Sequence, residues 1–302
     1  MLYPLKFVPR VKKPLWGSES WTVSAVEGDV SVVKGGMLDG NPLDELVEVY
    51  MGDLVGDKVF ERFGGEFPLL VKIIDARERL SVQVHPTDGI AAARHGAWGK
   101  TELWYILRRE PGARLFIGFR EGVTRENYAA AVADGSVGGL LNEVPVEPGD
   151  AFFIPAGTIH SIGEGIALAE VQQTSDVNYR IFDWNRIGAD GRPRELHTEW
   201  ALDAIDFAAP VRRVTQRLPT GEAALLVESS YFTANVVDVA GRAERSLSPR
   251  DSFTTYVCLA GEVRLATAGG SATLTADKTI LIPADQDEIV FEGNATLLET
   301  YI

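Results

Sequence analysis

The chain has 302 residues, 45% of them hydrophobic, with 6 Trp, 8 Tyr and 13 Phe, enough apolar material for a large core divided between two domains, which excludes disordered and collagen-like organisation. Its formal charge of −14, from 29 Lys and Arg against 43 Asp and Glu, opposes binding to nucleic acid and to anionic membrane, both of which are held largely by excess cations. The opening MLYPLKFVPRVKKPLWG has no uninterrupted apolar run of signal-peptide length, and no uncharged apolar stretch long enough to span a bilayer occurs, so a cytoplasmic protein is expected.

Short alternating or wholly apolar segments, separated by Gly, Pro, Asn and Asp, predict a mainly β chain of the antiparallel sandwich or barrel kind, with a few helices. In chain order, residues 43–51 carry helical apolar spacing, and 67–74, 80–85 and 101–107 read as strands. A helix starts after Thr124 as N-cap and continues through Val132. Residues 166–173 form a further strand, and 195–206 have helical spacing again. Strands follow at 223–227, 231–239, 254–259 and 278–282. The single cysteine, Cys258, allows no intrachain disulfide and reads as core packing within its apolar run. The Ala208-Ala209-Pro210 break, and the lack of histidine after it, divide the chain into a metal-binding domain at 1–208 and a β domain at 209–302. The phrases AFFIPA (151–156) and TILIPA (279–284) suggest two related barrels, the second without metal ligands.

Three stretches carry the chemistry. In residues 80–86, LSVQVHP, alternation puts Ser81, Gln83 and His85 on one face of a strand and Val82 and Val84 on the other. Alone, that triplet is as consistent with a solvated edge strand. In residues 100–107 the even positions place Lys100 and Glu102 beside Trp104 and Ile106. An exposed ion pair there would contribute little, whereas an inward carboxylate requires a metal or another cation. The third stretch, from Gly149 to His160, fits the second cupin motif, G(x)5PxGxxH, at every fixed position: a glycine turn into a buried strand, a Pro-x-Gly reversal and a histidine returned to the interior. Glu164 stands where that motif usually carries a trailing Asn. Gln83, His85, Glu102 and His160 together offer two imidazoles, a carboxylate and an amide oxygen for one divalent metal, a set that suits Zn²⁺ and also accepts Mn, Fe or Co. His95 and His197 read as loop or surface histidines.

These residues closely resemble type I mannose-6-phosphate isomerase in its short bacterial form. The likeness runs from residues 3–7 (YPLKF) and 14–17 (PLWG) through 83–86 (QVHP), 99–105 (GKTELWY) and 155–160 (PAGTIH) to 178–184 (NYRIFDW). It implies a cupin jelly-roll barrel carrying the metal site and a second, degenerate β-barrel or sandwich domain. It also implies zinc held by Gln83, His85, Glu102 and His160, an essential Arg180, and interconversion of mannose 6-phosphate and fructose 6-phosphate. The segment from Trp16-Gly17 to Trp21 is shorter than the family's, and the large helical insertion of longer members is missing.

Aldose–ketose isomerisation moves a proton between C1 and C2, so it needs a base, an electrophile and a phosphate anchor. If the chain from Glu170 to Arg180 is one unbroken strand, its even positions aim Glu170 and Arg180 into one pocket. Glu170, after an apolar run, is a candidate base alongside a metal-bound water; its alternative role is to orient Lys100 or Arg180. Arg180 suits an enediolate or a phosphate. Lys100 is placed to contact substrate oxygens, and Ser81 and Arg186 are family-suggested phosphate contacts. A cupin iron oxygenase and a sugar-binding protein without turnover are the competing readings. The partner expected is a small phosphorylated hexose; monomer and homo-oligomer are equally open.

Overall fold

The punctuated apolar runs become antiparallel strands along most of the chain. A computed structural model describes residues 1–188 and 191–302. Helical spacing at 43–51 becomes the helix Leu43–Tyr50, and the 166–173 strand is realised as Ile166–Gln173. The helix Arg125–Asp134 begins at a reciprocal cap, in which the Thr124 hydroxyl accepts from the Asn127 N–H and the Asn127 side chain accepts from the Thr124 N–H. It ends at Gly135, whose left-handed φ of 75° suits a residue without a Cβ. The helices between residues 52 and 63, the helix Asp88–His95 and the strand Arg114–Phe119 were not anticipated from spacing. The helices between 52 and 63 are short, and Asp88–His95, with Ile90 as its single large apolar residue, has too little apolar spacing to register. No helix among the described residues is long and apolar enough to cross a membrane.

The chain forms two compact units, one of residues 12–19 and 74–213, the other of 1–11, 20–73 and 214–302. The expected passage near residue 208 lies close to the one at Arg213. Residues 20–73, however, fold with the C-terminal segment rather than with the metal-binding one. Long-range pairing explains this: Leu5 and Leu281 exchange backbone hydrogen bonds, Phe253 N–H donates to the Val55 carbonyl, and the Phe67 and Phe253 rings lie 4.4 Å apart.

In the 74–213 unit, one sheet orders Arg212–Arg213, Ala151–Ile154, Glu102–Arg109 and Ile166–Gln173; the other orders Tyr179–Phe182, Val82–Val84, His160–Ile162, Arg114–Phe119 and Leu141–Pro145. Trp104, Ile106, Phe152 and Leu168 from the first meet Leu115, Ile117 and Ile162 from the second, with Leu80 beside them, and fill the interior. On the outer face of the second sheet, Val82, Val84 and Tyr179 pack under Tyr128 and Ala131 of one helix and Ala201 and Ala204 of Thr198–Ala204. With Val82 and Val84 committed outward, the pleat turns Gln83 inward.

The strand does not continue from Glu170 to Arg180. It ends at Gln173, and Arg180 lies on Tyr179–Phe182 in the other sheet. A side-chain-braced turn makes the break: Ser175 N–H donates to the Gln173 carbonyl at 2.8 Å, and the Gln172 amide donates to the Gln173 and Ser175 carbonyls at 3.0 and 2.7 Å. Alternation is lost across it, so parity says nothing about how Glu170 and Arg180 relate.

The other unit carries a six-stranded antiparallel sheet built from the strands between Ala223 and Tyr301. Cys258 is buried in its core with Val263, Leu297 and Phe291, and burial pushes its thiol up to about 11, which suits the packing role expected of it.

Candidate metal centre

The Pro155-Ala156-Gly157 reversal returns the chain to His160. Gly157 has φ +89°, and its N–H donates to the His85 carbonyl at 2.9 Å, which ties the two histidine-bearing segments together. His160 Nδ1 donates to the Thr158 carbonyl at 2.9 Å, fixing the tautomer whose Nε2 lone pair faces inward. The ladder puts Gln83 directly opposite His160, with its amide 3.2 Å from that Nε2. Turning the amide presents its oxygen in the same place.

His85 Nε2 lies 3.1 Å from Glu102 Oε1, and His160 Nε2 lies 3.8 Å from Glu102 Oε2. The two imidazole centroids are 4.6 Å apart, and the ligand atoms of His85, Glu102 and His160 all fall within 4.8 Å of one another. Exposure of the three is 1%, 0% and 0%. Lys100 Nζ approaches Glu102 Oε1 at 2.9 Å and His85 Nε2 at 3.4 Å, and it donates to Asn178 Oδ1 at 3.0 Å.

The donor set fits a divalent ion. Both Glu102 oxygens are buried and make no well-directed hydrogen bond, since the Lys100 contact is an ion pair outside hydrogen-bond geometry. A buried carboxylate left so requires cationic charge at close range. Protonation states agree with this. Burial, reinforced by Lys100, holds His85 down to about 3, and burial also lowers His160. Burial pushes Glu102 upward, but Lys100 first and then the imidazoles outweigh it and hold the carboxyl well below its usual range. Neutral imidazoles beside an ionised carboxylate are the forms that bind metal.

The remaining sequence candidates divide. Glu170 is opposite Trp104 on the neighbouring strand, and its Oε2 accepts from Trp104 Nε1 at 2.8 Å. The Trp104 ring in turn stands edge-on to His160, with centroids 5.2 Å apart at 82°. Arg180 is opposite Gln83 and half-buried. Its Nη1 donates to the Glu195 carbonyl at 2.7 Å, its backbone N–H donates to His197 Nδ1, and burial followed by Arg194 lowers its pKa. Ser81 is buried at the entry to the Gln83 strand. Arg186 is elsewhere: it pairs with Asp183, donates to the Arg79 carbonyl at 2.7 Å, and lines a hollow of about 270 Å³ with Glu78, Arg79, Glu164 and Trp184, none of them in the metal cluster. His95 is an exposed residue bonded to the Tyr179 hydroxyl at 2.9 Å.

Asn178, Thr158 and Trp104 escaped notice as site residues because each acts on a neighbour through a single hydrogen bond or ring contact. Asp88 and Gln173 are further examples. The Gln173 amide donates to Asp88 Oδ1 and accepts from the Thr101 N–H, while Gly99 N–H donates to the same Asp88 oxygen, bracing the loop that carries Lys100. Asn178 had a signal, since it opens the phrase containing Arg180.

A profile of the phosphomannose isomerase type I catalytic domain matches residues 8–102, and one of the mannose-6-phosphate isomerase cupin domain matches 222–302. Mannose-6-phosphate isomerase of Streptococcus mutans is 32% identical over 320 aligned positions, covering 100% of this chain and 99% of its own. The chain belongs to the type I mannose-6-phosphate isomerase family. A second relative, the mannose-6-phosphate isomerase ManA of Bacillus subtilis, is 34% identical, with 99% of each chain covered. The crystal structure of the mannose 6-phosphate isomerase from Bacillus subtilis superposes with a TM-score of 0.89 at 28% identity, covering 99% of both chains. The mainly β cupin architecture expected from the sequence is therefore that of a type I mannose-6-phosphate isomerase along the whole chain, and the family's C-terminal cupin domain falls within the unit that carries no histidine after residue 208.

Proposed function

We propose that this chain is a metal-dependent aldose–ketose isomerase that interconverts mannose 6-phosphate and fructose 6-phosphate through an enediol. The observation that carries the reading is the fully buried His85–Glu102–His160 cluster with Lys100 2.9 Å from its carboxylate. Gln83, His85, Glu102 and His160 hold the ion, and their mixed N/O donors suit zinc. When bound, the ion supplies Lewis acidity to the sugar oxygens.

The chain's own residues do the rest. Lys100 sets a buried positive charge where negative charge develops on the substrate oxygens as the C1 or C2 proton leaves, and Asn178 fixes its direction. Arg180, beside Gln83, presents a fork matched to the enediolate or the phosphate. Ser81 and Arg186 remain the proposed phosphate contacts; Ser81 lies two residues before Gln83, whereas Arg186 must first leave Asp183. On the adjoining strand, the Glu170 carboxylate accepts from the Trp104 indole. Substrate and product are soluble phosphorylated hexoses, in keeping with a cytoplasmic enzyme.

A coupled assay for fructose 6-phosphate, run with bound-metal analysis, tests the reading. Chelation is expected to abolish turnover of mannose 6-phosphate, zinc to restore it, and Glu102→Gln to weaken metal binding about a hundredfold or more. Metal-loaded protein without turnover of this sugar would overturn the assignment in favour of a binding protein. Bound iron with oxygen consumption would favour an oxygenase.

A further inference from the structure

The two units repeat one strand register. In the metal-binding unit Ala151–Ile154 pairs with Glu102–Arg109, with Ile154 opposite Glu102, and on the far side of that strand Glu170 is opposite Trp104. In the other unit Thr279–Ile282 pairs with Thr254–Thr267, with Ile282 opposite Thr254, and on the far side Glu299 is opposite Tyr256. Both four-residue strands are wholly buried and both run into Pro-Ala. Counted from the two isoleucines, Trp104 and Tyr256 occupy the same place, and so do Glu170 and Glu299.

The side-chain bond is repeated as well. Trp104 Nε1 donates to Glu170 Oε2 at 2.8 Å, and the Tyr256 hydroxyl donates to Glu299 Oε1 at 2.6 Å. The chemistry is not repeated: Thr254 stands at the place of Glu102, Ser252 at that of Lys100, and no histidine follows residue 208. The unit that has no metal ligands keeps the carboxylate, where it holds the aromatic hydroxyl opposite it besides meeting Arg245, Arg250 and Asn235, so the aromatic–carboxylate pair belongs to the shared strand construction of the two units rather than to metal chemistry. In the metal-binding unit that ring, 1% exposed, abuts the ligand His160 edge-on.

We infer that Glu170 is a positioning residue rather than the proton carrier: it fixes the Trp104 indole, and the indole fixes the ring of His160. The inference rests on the isomerase reading above and assigns the carboxylate's work within it. Loss of such a supporting partner costs metal affinity, about 10–100-fold in comparable sites, whereas loss of a general base costs rate, about 10²–10⁴-fold, at unchanged metal content.

Three variants separate these outcomes. Glu170→Gln keeps an oxygen that accepts from the indole, so zinc affinity of the apoprotein and exchange of the mannose 6-phosphate C2 proton with solvent are both expected within about threefold of wild type, with the pH profile unmoved. Trp104→Phe and Glu170→Leu break the bond and are expected to weaken zinc binding, measured by competition titration of apoprotein, about tenfold or more, while exchange per bound zinc stays near wild type. Glu299→Gln, in the other unit, is expected to lower the melting temperature and leave zinc affinity alone. Exchange lost in zinc-saturated Glu170→Gln, or wild-type zinc affinity in Trp104→Phe, would overturn the inference; should Glu170→Leu not fold, these two measurements still decide. If the wild-type protein itself exchanges no C2 proton, the isomerase reading fails, and the zinc titration still judges the positioning role.

Discussion

Lys100 and Glu102 show how residue type and placement combine. A lysine 3% exposed is rare unless an opposite charge meets it, and here the carboxylate it meets is itself wholly buried. Lys100→Met keeps the volume and removes the charge, so kcat is expected to fall about a hundredfold or more while bound zinc, measured by metal analysis, is retained. Wild-type turnover in that variant would remove Lys100 from the chemistry. The convergence of Gln83, His85, Glu102 and His160 as candidate metal donors was legible in the sequence because a strand's period of two and the Pro-x-Gly reversal are local rules. Asn178 and Trp104 were not, because an accepting amide or a ring edge leaves no periodic trace. Nor did the pattern show that Asp183 would claim Arg186.

Among the elements, the 155–160 reversal decides where the His160 imidazole points. Gly157 has a φ that disfavours any Cβ, and a Cβ there would also sit 3.1 Å from the Ala204 carbonyl. Gly157→Ala is expected to destabilise the protein by about 1–3 kcal/mol, seen as a lower melting temperature, and to weaken zinc binding because the same residue tethers the His85 carbonyl. Unchanged melting and affinity would show that the reversal tolerates substitution. Strands and the capped helix after Thr124 were readable for similar local reasons. The break at Gln173 had a local signal in Thr174-Ser175-Asp176, a turn-type cluster, although its position was fixed by the Gln172 side chain and Ser175, which brace the turn.

At the scale of the whole molecule, the unit without metal ligands has its own buried charge centre. Glu299, 0% exposed, is gripped by Arg245 at 2.8 and 2.7 Å, by Arg250 at 3.1 Å, by Tyr256 and by Asn235. Burial pushes its carboxyl up, but Arg245 and then Arg250 outweigh that and hold it below the usual range. A folded-state value below the unfolded one of about 4.3 means that this contribution to stability is complete above the ordinary carboxylate range. It is lost as pH falls through that range toward the lower folded value. Urea unfolding from pH 7 down to 3 is expected to show wild type weakening on acidification and Glu299→Gln doing so less steeply. At pH 7 that variant is expected to lose about 3–5 kcal/mol, because two guanidinium groups lose their buried partner. An equal pH slope in both would show that the network does not govern acid stability.

By itself the sequence determined the β class, the candidate metal donors and the two related strand phrases, all of which are written in alternation, turn residues and short fixed spacings. Tertiary structure decided which segments fold together: residues 20–73 join the C-terminal sheet through pairings such as Leu5 with Leu281, more than 270 positions apart along the chain. It also decided what Glu170 touches. Both are choices of partner across the fold, and a backbone hydrogen bond or a buried carboxylate is satisfied by whatever group the packing delivers, which no local pattern records.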